Sequence, residues 1–128
     1  MTRWAIIWFL TTLVSACQSP YLVFSGKALT GELGHAENFD FAKNFTLLKL
    51  ETHLPKPYSV ILRVNVIDSK LYIDAASNRR WHDYIKENKH IRIQLGEVIY
   101  LAKASVVNDE EIKSRFLSGR TIYLIEPE

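Results

Sequence analysis

The sequence predicts a mainly β domain with short helices (α+β), closed as a small six-stranded barrel. The alternative is an open antiparallel sheet with two helices on one face. Three observations carry this. Val60, Leu62, Val64 and Val66 alternate with Ser59, Ile61, Arg63 and Asn65, the period of a strand with one buried face. Asp68-Ser69-Lys70 then turns the chain, and Leu71, Ile73 and Ala75 alternate with Tyr72 and Asp74 on a return strand. The other strands come as antiparallel partners with short helices between them, and closing such a sheet removes its exposed edges.

Taken in order, the chain begins with a targeting segment. Arg3 supplies a positive start, an apolar run follows over 4–13, and Ser15 and Ala16 are the small residues that precede a cut. The apolar stretch over 4–16 is shorter than the roughly 20 residues a spanning helix needs. Leu13-Val14-Ser15-Ala16-Cys17 resembles the lipobox of bacterial lipoproteins, and Cys17 is the only cysteine in the chain. The resemblance implies a thiol that is diacylglycerylated, a cut before it and an acylated new amine. Several acyl chains hold a protein at a bilayer where one binds only marginally. In diderm bacteria Asp after the cysteine signals retention in the inner membrane. Gln18 and Ser19 stand here instead, which by that resemblance implies the periplasmic face of the outer membrane. The expected organisation is a signal peptide over 1–16, a lipidated tether over 17–20 and one domain over 21–128.

Without its signal the chain carries 15 Lys and Arg against 14 Asp and Glu, with no basic block. That balance gives a nucleic-acid partner no electrostatic footing. With Cys17 lipidated there is no disulfide, and the domain must stand on packing.

Residues 21–24 are apolar and follow the tether directly, whereas Gly26, Gly31 and Gly34 break any long element over 25–44. A short helix over 38–45 would place Phe41 and Phe45 on one side. A strand over 46–52 alternates Leu48 and Leu50 against outward Lys49 and Glu51, and Leu54-Pro55-Lys56-Pro57 forces a turn or an extended link. After the hairpin, Ser77 or Asn78 is expected to cap a helix reaching about residue 88, with Trp81, Tyr84 and Ile85 on its core face. A strand over 90–95 puts Ile91, Ile93 and Leu95 inward and Arg92 and Gln94 outward. Gly96-Glu97 turns it into a long partner over 98–107. Asn108 or Asp109 caps a second helix with Glu110 and Glu111 in its first turn, where the dipole favours them. Gly119 ends that helix, and a last strand runs over 121–125.

The histidines at 35, 53, 82 and 90 lack the spacing of a metal helix, so no metal site is expected. His82 is expected to face solvent, because it and Asp83 are helix neighbours that do not face each other. No nucleophile elbow, phosphate loop or dinucleotide fingerprint occurs. The constellation that remains is Arg63 on the clearest strand, with Ser77-Asn78-Arg79-Arg80 where the return strand hands over to a helix. A helix start flanked by guanidiniums is suited to an anion.

With these residues in place, the stretch over 57–104 resembles the split-barrel flavin-binding superfamily, which includes pyridoxamine-phosphate oxidases and deazaflavin-dependent nitroreductases. The resemblance implies a six-stranded split barrel in which Arg63, Ser77, Arg79 and Arg80 hold the phosphate of FMN or a deazaflavin. Trp81 matches a tryptophan that often opens the helix in the nitroreductase branch. The pattern departs from the oxidases at Tyr58, where they have arginine, at Asn78, where they have the corner serine, and in lacking their basic C-terminal segment. The resemblance also implies a homodimer, since such sites are usually built between two chains. Two functions follow as expectations. The first is a membrane-anchored periplasmic lipoprotein whose barrel is a binding or envelope-interaction module. The alternative is a flavin- or deazaflavin-linked oxidoreductase.

Overall fold

The strand expected over 59–66 breaks at Val64, and that break organises the molecule. In the computed structural model, which describes residues 28–53 and 56–128, its first part is β3 (Tyr58–Arg63) and its second is β4 (Asn65–Ile67). β3 pairs antiparallel with β2 (Leu47–Thr52), whereas β4 pairs with β5 (Lys70–Ala75). The sheet order is β3-β2-β6-β7-β8-β5-β4, with β6 at His90–Leu95, β7 at Val98–Val106 and β8 at Thr121–Pro127. The two ends of the sheet are therefore consecutive in sequence, joined through Val64, whose N–H donates to Thr46 O. A sheet whose edges are one continuous run must curl, and the result is a mainly antiparallel half-barrel.

Eight strands are present among the described residues, where six were expected. The break at Val64 adds one. The other is β1 (Glu32–Leu33), which pairs parallel with the start of β7. The expected hairpin is thereby shortened to β4 and β5. Its loop is Asp68-Ser69, with Lys70 already paired to Ile67. Both loop residues have positive φ, the requirement of a two-residue turn whose twist matches its strands.

The concave face holds the core. Leu48, Leu50, Leu71, Ile73, Ile91, Ile93, Leu95, Ala102, Ala104 and Ile125 are buried in it, with Val60, Leu62, Val64 and Val66 packed against them as the alternation predicts. Two short elements close over this face. The 3₁₀ helix Asp40–Asn44 lies against β4 and β5 and brings Phe39 and Ala42 into the core. Helix α1 (Arg80–Glu87) lies against β2 and β3 and inserts Trp81 and Ile85. The sheet is open, as in the alternative reading, because β3 and β4 at its two ends do not pair. Helix α2 (Glu110–Lys113) has no fully buried residue, however, so the second helix of that reading is not packed into the core. Its cap is as expected: the Glu111 N–H donates to Asp109 Oδ1 at 2.9 Å. It ends well before Gly119, which instead turns the chain into β8 at φ 83°.

The convex face departs from expectation. Glu51, Arg92 and Gln94 belong to the outward set of their strands, yet Glu51 is 1 % and Gln94 6 % exposed. The chain over 28–33 lies across them. Leu29 N–H donates to Glu51 Oε2 at 2.7 Å, Gln94 Nε2 donates to Thr30 O at 3.0 Å, and Glu32 N–H donates to Glu97 O at 3.1 Å. Gly31 allows that approach, because a Cβ there would stand 2.5 Å from Glu97 O and 2.7 Å from Gln94 Nε2.

The signal, the tether, the apolar run over 21–24 and residues 54 and 55 of the proline link fall outside the described residues. No helix among the described residues is long and apolar enough to cross a membrane.

Candidate functional site

The corner between β5 and α1 is shaped by local chemistry. Arg79 N–H donates to Ala76 O at 3.3 Å, closing a turn with Ser77 and Asn78 at its tip. Those two residues are used by the turn, and the helix begins at Arg80 with Arg79 as its N-cap. This corrects the expected cap at Ser77 or Asn78. Arginine has no acceptor to offer as a cap, so the first turn of α1 has no side-chain partner for its N–H groups.

This corner borders a cleft of about 640 Å³. Its lining includes Tyr58, Val60, Ile61 and Leu62 of β3 and Trp81 of α1. Asn78, Arg79, Arg80, Asp74 and Arg120 line it as well. Arg79 and Arg80 are exposed and form no ion pair among the described residues. The carboxylate beside them on the helix, Asp83, takes Lys86 instead at 3.3 Å. Arg120 lies 3.3 Å from Asp74, both part-buried.

The expected site residues are thus partly gathered. Arg79 and Arg80 share the cleft. Arg63 is exposed at the end of β3, opposite Leu47, and Ser77 is exposed in the turn; neither lines the cleft. Arg120 had no signal in the sequence. It lies just before β8, and the pairing of Thr121 with Ala75 brings it beside Asp74. Only the β5–β8 register could have revealed it.

Behind Trp81 the helix buries a residue expected in solvent. His82 is 5 % exposed, and its ring meets Tyr123 edge-on at 5.6 Å. The reason is that α1 lies on β2 and β3 while also facing β8, so the buried stripe spans Trp81, His82 and Ile85. His82 Nδ1 and Tyr123 Oη are buried without a hydrogen-bond partner among the described residues. Burial also pushes the Tyr123 phenol above its ordinary pKa. Tyr84 is half-buried and stacks flat on His53 at 4.3 Å, with Tyr58 edge-on at 5.5 Å. No cluster of metal-ligating side chains occurs among the described residues.

A second cleft, of about 460 Å³, lies between the Asp68-Ser69 turn and the 3₁₀ helix, lined by Glu37, Asp40, Asp68 and Glu126 beside Phe39 and Leu124. Its carboxylates make it unsuited to an anion.

No family model matches the chain, and no curated protein does. Solved structures do share its fold. A proposed pyridoxamine 5′-phosphate oxidase from Listeria innocua superposes with a TM-score of 0.59 at 17 % identity, over 68 % of this chain and 87 % of that one. A NimC/NimA family protein from Clostridium acetobutylicum gives 0.55 at 14 %, over 67 % and 77 %. The haem storage protein HutZ from Vibrio cholerae gives 0.52 at 14 %, over 70 % and 86 %. At these identities the likeness is one of architecture. The chain has the split-barrel fold that these proteins share.

Proposed function

We propose that the domain binds a phosphate-bearing flavin-type cofactor, FMN or a deazaflavin, in the cleft between β3, β5 and α1. The observation that carries this reading is that three guanidiniums line the same cleft as the apolar and aromatic side chains of β3 and Trp81. Its volume of about 640 Å³ also falls within the roughly 300–1,000 Å³ of small-molecule sites.

The donor set fits such a ligand. Arg79 and Arg80 are the residues that would hold the phosphate, since guanidiniums give it charge-assisted, bidentate hydrogen bonds. Asn78 offers an amide to polar groups beyond the phosphate, while Tyr58, Val60, Leu62 and Trp81 would exclude water from a planar ring. A bound flavin supplies the redox chemistry, and the protein's share is binding, orientation and electrostatics. The split-barrel neighbours favour an oxidoreductase of this class over a module without a cofactor. A homodimer belongs to the same proposal.

The test is fluorescence titration of the purified protein with FMN and with riboflavin, which lacks the phosphate. FMN is expected to bind about 10-fold tighter or more, the worth of one or two charged hydrogen bonds. Failure to bind FMN at high micromolar concentration would sink the proposal.

A second proposal rests on the Leu13-Val14-Ser15-Ala16-Cys17 motif alone. The domain is anchored through lipidated Cys17 on the periplasmic side, at the outer membrane. Labelled palmitate should enter the wild type and not Cys17→Ala. Equal incorporation in the two, or none in the wild type, overturns the anchor.

A further inference from the structure

Asp74 is an unexpected neighbour for a phosphate site. It is the carboxylate in a cleft lined by three guanidiniums, and it is paired with the part-buried one, Arg120. The quality of that pair is informative. Arg92 and Glu51 meet through two hydrogen bonds, at 2.7 and 3.1 Å. Arg120 and Asp74 make one approach, Nη1 to Oδ2 at 3.3 Å, with side chains 34 % and 26 % exposed. A single, partly solvated contact neutralises charge without fixing the guanidinium, which keeps donors free on its other nitrogens.

We propose that Asp74 is a specificity-determining residue of the cleft. It neutralises Arg120 until an anionic ligand takes that guanidinium over, and so limits how strongly the site prefers phosphorylated over unphosphorylated ligands. This rests on the reading of the cleft as a phosphate-bearing ligand's site. Both partners are held by the sheet, Asp74 opposite Ile122 and Arg120 next to Thr121, so the exchange needs side-chain rotation only. With Asp74 ionised the cleft residues carry a net charge of two; without it, three. A neutral ligand has no stake in that difference, and a phosphate dianion has a double one.

The experiment measures FMN, riboflavin and inorganic pyrophosphate by calorimetry on the wild type, Asp74→Asn and Arg120→Gln, with thermal melts checking that each is folded. Asp74→Asn is expected to tighten FMN and pyrophosphate by about 3- to 10-fold, with riboflavin unchanged. Arg120→Gln is expected to weaken the same two ligands by a similar factor. If the wild type prefers FMN to riboflavin but Asp74→Asn leaves that preference unchanged or lowers it, the role of Asp74 is overturned and the cofactor reading stands. If no variant binds FMN or pyrophosphate, both fall.

Discussion

Arg92 donates from Nε to Glu51 Oε1 at 2.7 Å and from Nη2 to Oε2 at 3.1 Å, on the convex face of a sheet where both alternations point to solvent. The hydrogen bond to Glu51 raises the Arg92 pKa further above its already high value, against the effect of burial. Leu29 N–H donates to the same carboxylate, so β2, β6 and the chain before β1 meet at one charge. Removing one partner leaves the other charge uncompensated, and Arg92→Met is expected to cost on the order of 3 kcal/mol. Glu51→Gln combined with Arg92→Met should recover part of that loss, because no bare carboxylate stays buried. Urea unfolding of the single and double variants checks the order; an unchanged midpoint for Arg92→Met would show that the pair contributes nothing.

Gly31→Ala probes how tightly the N-terminal strand lies on the sheet. The new Cβ meets backbone oxygen of Glu97, which cannot swing away as a side chain end could. The loss expected is about 1–3 kcal/mol, the usual cost of overpacking. Faster hydrogen exchange at Glu32 and Gly34, whose amides bond Glu97 O and Ile99 O, should accompany it. Exchange unchanged at both amides counts against the contact.

Tyr123 carries a buried hydroxyl without a partner among the described residues. Tyr123→Phe is expected to be neutral or stabilising by up to about 1 kcal/mol, whereas Tyr123→Ala should cost about 3–5 kcal/mol through its cavity. A drop in melting temperature for Tyr123→Phe would indicate a hydrogen bond worth keeping.

The same residue sets an alkaline limit. Burial raises the Tyr123 pKa, and burial followed by the carboxylates of Asp68, Asp109 and Glu126 raises that of Tyr72. The unfolded chain ionises both near pH 10 while the fold retains their protons. Their contribution is therefore fully present below about pH 10 and lost as pH rises through the folded values. Stability measured against pH should fall on that limb, and less steeply in Tyr123→Phe; identical alkaline limbs would rule the phenol out.

Binding variants separate the arginines. Arg79→Ala and Arg80→Ala should each weaken FMN by about 10-fold, the scale of a charged hydrogen bond. Arg63→Ala should change it little, because Arg63 does not line the cleft. A larger loss at Arg63 than at Arg79 would move the site along β3.

Alternation made the strands legible: every residue it assigned to the inner face, from Leu48 to Leu95, is in the core or packed on it. The cap at Asp109 was equally readable, because it rests on a hydrogen bond two residues long. What failed had distant causes. Glu51, Arg92 and Gln94 were assigned outward by the same alternation, but their partners are 22, 41 and 64 residues away. The solvent expectation for His82 rests on its helix neighbours alone, whereas its cover, Tyr123, lies on a strand far along the chain.

The candidate site divides the same way. Arg79 and Arg80 stand together in the sequence, and a corner before a helix brings them to one cleft. By itself, the sequence determined the period of each strand, the short helices between them and the motif ending at Cys17, since these depend on neighbouring residues. The tertiary structure alone decided that the strand breaks at Val64, that a convex face is covered, and that Arg120 faces Asp74. Those follow from strand register and from what packs over a face, which a local pattern of apolar and polar residues does not encode.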